Sequence, residues 1–231
     1  QRTALTIDTS KCATVRGKVE GDSIDIKGAT IAVDSVRGET VRLMSDGGVA
    51  STKLVEGLEV EISGTSITLA KLQASHANIR GEDVSIVAAY CRKLDVEATG
   101  ASAVDAVSID AAHGHVAAKA TNGGVSLQRC SGSCAIEAAG TISLAFDAMN
   151  GDALASSDRG DVDVSVAPSI ECDVELEGRH VDCAGAPMLR REVDEAGRVQ
   201  GALEAKREPS RAGAGKVNVD GASQQKWDSS F

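Results

Sequence analysis

The chain has 231 residues and a mass of 23.6 kDa, with 34 acidic against 24 basic side chains, a formal charge of −10 and a pI near 4.9. Hydrophobic residues make up 42%, which excludes a charged disordered chain, and no run approaches the roughly 18 apolar residues of a membrane-spanning helix, so a soluble protein is expected. The acidic balance argues against nucleic-acid phosphates and anionic lipid, and the four aromatics (Tyr90, Phe146, Trp227, Phe231) leave few platforms for stacking bases or sugars.

Short alternating segments recur along the chain. They begin with Leu5-Thr6-Ile7, Ile24-Asp25-Ile26, Ile31-Ala32-Val33, Val41-Arg42-Leu43 and Leu58-Glu59-Val60-Glu61-Ile62. Ile67-Thr68-Leu69, Ala77-Asn78-Ile79, Val84-Ser85-Ile86, Leu94-Asp95-Val96 and Val107-Ser108-Ile109 continue the series. Val125-Ser126-Leu127, Cys134-Ala135-Ile136, Ile142-Ser143-Leu144, Val162–Val166 and Cys172–Leu176 complete it. Each has a period of two and is rich in β-branched residues, the pattern of a strand with one apolar face.

The spacing between segments is itself regular. Ile24 to Val41, Val41 to Leu58, Ile67 to Val84 and Val125 to Ile142 are each 17 residues, and Val107 to Val125 is 18. An interleaved set runs from Ala77 to Leu94 and from Val116 to Cys134. Such a period predicts an all-β fold, a single parallel β-solenoid of about 17–18 residues per coil and nine or ten coils. Longer gaps near 98–107 and 147–162 read as turn insertions. A β-sandwich, the rival fold, has no reason to keep that period. The 24 glycines mark tight corners, and the prolines, at 168, 187 and 209, all fall in the last third.

The texture changes after residue 186. Residues 187–231 hold 8 of the 24 basic and 7 of the 34 acidic groups, which leaves −11 on the rest. The predicted organisation is a solenoid over 1–186 and a C-terminal cap over 187–231. Val193, Ala196, Val199 and Leu203 fit a helix within 191–208. Val199, Gly201 and Leu203 fit a strand equally, and a hairpin cap is the preferred reading, with Trp227 packed over the open end.

The runs Gly160–Val166 and Cys172–Leu176, followed by a basic stretch and Gly215-Lys216-Val217-Asn218-Val219, resemble the adhesin-like β-solenoid family of unknown function, of the auto-transporter adhesin type. The eukaryotic branch, named family with sequence similarity 185, is the most similar. The resemblance covers the chain from about residue 5 onward. It implies a parallel β-solenoid, no known catalytic residues and a mitochondrial location.

Six cysteines, at 12, 91, 130, 134, 172 and 183, are expected to be mainly buried thiols, with a local Cys130–Cys134 disulfide as the alternative. His113-Gly114-His115 puts two imidazoles on one side if extended, but zinc needs a third ligand. Asp161 and Asp163 with Asp173 and Glu175 mimic the stacked carboxylates of polysaccharide-cutting solenoids, without aromatic platforms beside them. Solvated turn histidines and outward carboxylates are the simpler readings.

No catalytic residue, cofactor or metal site is assigned. The functional expectation is a non-catalytic solenoid that binds other proteins, an accessory subunit docked on a larger assembly and not on nucleic acid. Arg190, Arg191, Arg198 and Trp227 are the expected partner contacts, because Arg and Trp are favoured interface anchors, and intramolecular capping is the competing role for them. An extracellular adhesin or carbohydrate-binding or -cleaving β-helix is the alternative.

Overall fold

A computed structural model describes residues 3–100 and 105–170 with their side chains, and the backbone of 172–182, 189–193, 199–203 and 215–228. Those residues form strands and no helix. The first five strands are β1 (Ala4–Asp8), β2 (Cys12–Glu20), β3 (Ser23–Gly28), β4 (Thr30–Arg37) and β5 (Thr40–Ser45). Six long elements follow: β6 (Gly48–Ser63), β7 (Ser66–Gly81), β8 (Asp83–Ala98), β9 (Asp105–Ala120), β10 (Gly124–Ala138) and β11 (Ile142–Ser157). The chain ends in β12 (Val162–Val166), β13 (Cys172–Asp182), β14 (Leu189–Val193), β15 (Val199–Leu203) and β16 (Gly215–Asp228).

Parallel pairing of each coil with the next builds a β-solenoid of about nine turns. Each coil has three sides, seen most simply in β7, where 66–69, 71–74 and 76–81 each pair with the matching part of β8. Side one gathers 12–15, 30–33, 49–51 and their successors, side two 18–20, 35–37, 55–57, and side three 4–8, 23–28, 40–44.

The period-two pattern now has a physical meaning. On side three the inward column reads Ile26, Leu43, Ile62, Ile79, Val96, Ala118, Ile136, Ala155, each in register with the next and each buried. Ladders of like side chains fill a narrow interior, so the core formed by the described residues contains one aromatic, Phe146, at 1% exposure.

The expected pairings Ile24 with Val41, Ile67 with Val84, Val107 with Val125 and Val125 with Ile142 are all present. Val41 to Leu58 is not. Val41 pairs with Val60, and Leu58 is 57% exposed. One extra residue enters at the turn between Ser45 and Val49 and another at the corner between Ser51 and Val55, so this coil runs 19 residues instead of 17.

At the far end, β14 and β15 form an antiparallel hairpin, and β15 pairs with β13, as the hairpin reading of 187–231 anticipated. The last strand, β16, does not cover the end. It lies between the final coil and β13, parallel to β11 and β12 on one edge and to β13 on the other.

Candidate functional site

The two charged sides of the solenoid consist largely of groups that satisfy one another. On side three the outward column Arg80, Glu97, Lys119, Glu137 alternates in sign from coil to coil. Arg80 Nε lies 3.6 Å from Glu97 and Lys119 Nζ 3.0 Å from Glu137, and that contact raises the Lys119 pKa. Arg42 pairs with Glu61 at 3.3 Å and His76 Nδ1 with Glu59 at 2.9 Å. Side one differs. Its outward centre runs Thr14, Ala32, Ala50, Thr68, Ser85, Ser108, Ser126, Ser143, small and uncharged until the column reaches Asp163.

An open groove of about 700 Å³ breaks this regularity at the corner between sides two and three. Its floor is the glycine column Gly21, Gly38, Gly57 and then Ala74. A Cβ on Gly38 would stand 2.8 Å from the Gly21 carbonyl oxygen and 3.5 Å from the buried Ile24 side chain, so the close approach of these coils requires glycine at this position. Over it project Leu58 and Tyr90, 57% and 43% exposed. Leu58 is set there by the longer coil, its N–H donating to the Glu39 carbonyl at 2.9 Å.

Tyr90 is held in place from both neighbouring coils. His113, its register partner in the following coil, stacks on the ring at a centroid distance of 4.6 Å and an interplanar angle of 8°. Lys71, from the preceding coil, places its ammonium 5.1 Å from the ring centroid. The tyrosine therefore presents its edge outward.

The charges of the groove pair off. Arg37 reaches Glu56 at 3.0 Å and Glu20 at 4.0 Å, and Lys18 contacts Glu20 at 2.5 Å. The hydrogen bond from Lys18 holds the Glu20 carboxyl below its ordinary pKa. Glu39 is exposed and has no cation beside it among the described residues.

The other sequence candidates fall apart or turn inward. Gly114 adopts φ +103° at the same corner, and its missing Cβ would lie 1.8 Å from the Cys91 carbonyl oxygen, so only glycine turns the chain here. The turn separates the two histidines: His113 ends side two on Tyr90, while His115 opens side three with Nδ1 2.8 Å from Ser133 Oγ. No group of three metal-ligating side chains forms among the described residues.

Cys91, Cys130 and Cys134 are buried free thiols, and Cys12 is exposed and free, taking a hydrogen bond from Thr30 Oγ1 at 2.7 Å. Cys134 is a ladder residue between Val116 and Ala153. Desolvation pushes the Cys91 thiol up to about 11 and Cys130 to about 12, which suits packing and not nucleophilic chemistry. The side chains of Cys172 and Cys183 lie outside the described residues.

Asp163 pairs in register with Ser143 on one edge and Lys226 on the other, while Asp173 is paired with Lys216. β16 thus runs between the two acidic segments, and they do not stack on each other.

Of the expected partner contacts, Arg190 and Arg191 lie in the outermost strand, in register with Ala202 and Gly201. Trp227 lies in β16, opposite Val164 and separated from β14 by two strands, β13 and β15. Arg198 lies outside the described residues. The backbone therefore distributes these positions over different strands.

The period-two pattern places Leu58 in the core, whereas the structure exposes it, and Tyr90 stands out in the sequence only as one of four aromatics. Placing Val60 under Val41 would have moved Leu58 to the outside.

Comparison with protein-family models, curated proteins and solved structures found no match to this chain. No helix among the described residues is long and apolar enough to cross a membrane.

Proposed function

We propose that this chain is a non-catalytic protein-interaction solenoid, an accessory subunit that docks on a larger assembly through the Leu58–Tyr90 groove. The observation that carries the reading is the convergence of two exposed large apolar side chains, Leu58 and Tyr90, over one glycine-floored groove. Elsewhere the charged sides pair internally, so this corner offers what a partner gains most by covering. A backbone already fixed by pairing on both edges loses little freedom on binding.

The alternative, a carbohydrate-binding or -cleaving solenoid, has less support. A sugar platform needs a free aromatic face, and both faces of Tyr90 are taken by His113 and Lys71. The resemblance to the eukaryotic adhesin-like branch adds the mitochondrion as the compartment, which fractionation of cells would check.

A photo-crosslinking amino acid placed at Leu58, with Thr68 on side one as control, tests the docking reading in cells. A discrete heavier adduct from position 58 and none from position 68 is expected. Equal labelling from both positions, or none from 58, removes the groove as a docking surface.

A further inference from the structure

We infer that the occupant of the groove is an extended segment of a partner protein carrying a lysine or arginine two positions from a bulky aliphatic residue, the cation seated on Glu39 and the aliphatic group against Leu58 and the Tyr90 edge. This rests on the docking reading above and adds the chemistry of the partner.

The argument begins with the corner column Asp22, Glu39, Leu58, Ser75. Glu39 N–H donates to the Asp22 carbonyl at 3.0 Å and Leu58 N–H to the Glu39 carbonyl at 2.9 Å, so Glu39 and Leu58 project from adjacent coils about 4.8 Å apart. Asp22 is engaged, its Oδ2 accepting the Thr3 N–H at 2.5 Å. Glu20 and Glu56 are engaged by Lys18 and Arg37, and Lys71 is engaged by Tyr90. Among the described residues of this corner, Glu39 is the carboxylate left with neither an ion pair nor a hydrogen-bond donor on its side chain, and it stands beside the two exposed apolar side chains.

A charge of that sign next to an apolar shelf selects a cation next to an apolar side chain. In an extended peptide, residues i and i+2 face the same way about 6.6 Å apart, which spans neighbouring coils and reaches from the carboxylate to the shelf. A second copy of this chain fits poorly, because each copy carries −10 overall. The covered faces of Tyr90 disfavour a glycan.

The test is an array of synthetic peptides in which basic and aliphatic residues are placed at every short spacing, probed with the whole chain. The strongest peptide is then titrated by fluorescence anisotropy. The expected hits carry Lys or Arg at i and Leu, Ile or Val at i+2, and their binding weakens as salt rises. Glu39→Lys should lower affinity at least tenfold and Leu58→Ser by a similar factor, while Glu137→Lys, a charge change on a distant coil, should leave it unaltered. Both groove positions are exposed, and equal melting temperatures of the variants would show that the fold is intact.

Hits without a basic residue, or affinity unchanged by Glu39→Lys, overturn the inference. If Leu58→Ser abolishes binding while Glu39→Lys does not, the cationic occupant falls and the docking groove stands. Glycan-array binding with no peptide hit overturns both, and absence of the position-58 adduct in cells removes the docking reading by itself.

Discussion

The early coils, residues 23–98, and the later coils, 105–166, share one architecture and differ in what holds it. In the early coils the inward columns are bulky, as in Ile26, Leu43, Ile62 and Ile79, and ion pairs such as Arg37–Glu56, Arg42–Glu61 and Arg80–Glu97 join the outside of neighbouring coils. In the later coils alanine and cysteine replace much of that bulk, at Ala112, Ala118, Cys130, Cys134, Ala153 and Ala155. Phe146 and Met149 fill the space those small residues leave, and glycines at 114 and 132 bring backbone onto backbone. A repeat in sequence is therefore not a repeat in energetics. Both regions bring backbone close at glycine corners, but the first fills its interior with bulky aliphatic side chains, and the second mixes smaller ones with Phe146 and Met149 and turns at Gly114 in a left-handed conformation.

The largest effect should come from Gly114→Ala. The new Cβ meets the Cys91 carbonyl oxygen at 1.8 Å in a left-handed conformation, so the corner must move. A loss of about 3 kcal/mol or more in urea unfolding is expected. A loss below about 1 kcal/mol would mean that the later coils do not depend on this turn. Phe146→Ala, which removes the largest buried side chain of the later coils, should cost about 3–5 kcal/mol, and a clearly smaller loss would show that the neighbouring alanines collapse into the space.

Ser51→Val should act in the opposite direction. Ser51 occupies a core column between Val33 and Leu69, is 3% exposed, and its hydroxyl has no hydrogen-bond partner among the described residues. Replacing it with a ladder-type side chain should raise stability by about 1 kcal/mol, unless the added methyl overpacks the interior. Glu97→Lys is expected to have the smallest effect. It sets three cations, at 80, 97 and 119, in one exposed column, and should lower the melting temperature in low salt but not in 1 M salt. A drop that persists in high salt would assign the loss to packing.

Much of the fold was legible because solenoid coils read like a ruler. Ile67, Val84, Val107, Val125 and Ile142 carry the register in plain sequence, and the structure stacks them in that order. The error at Leu58 shows the limit of the ruler. Two inserted residues restore the in–out alternation two positions later, so an apolar residue in an apolar pattern gave no sign that it faced water. The groove was hidden for a related reason. Tyr90 meets His113 only through pairing across 23 residues, a distance lengthened by the insertion between Ala98 and Val107, and nothing local to either residue signals the stack. The position of β16 was equally invisible, because Gly215–Asp228 reads as a strand but carries no mark of which edge it joins.

That position sets an order of events for a chain leaving the ribosome. Each coil through β11 can add to the one before it as soon as some 17–19 further residues emerge, with the longer 98–107 excursion as the exception, which is a succession of small loop closures. β13 cannot join by that route, since the edge it would need is completed by β16, whose Gly215 pairs with Cys172 across 43 residues. Growth rung by rung thus gives way to a step in which a late strand and an earlier one must arrive together, and this edge can close only once the chain has been made as far as β16.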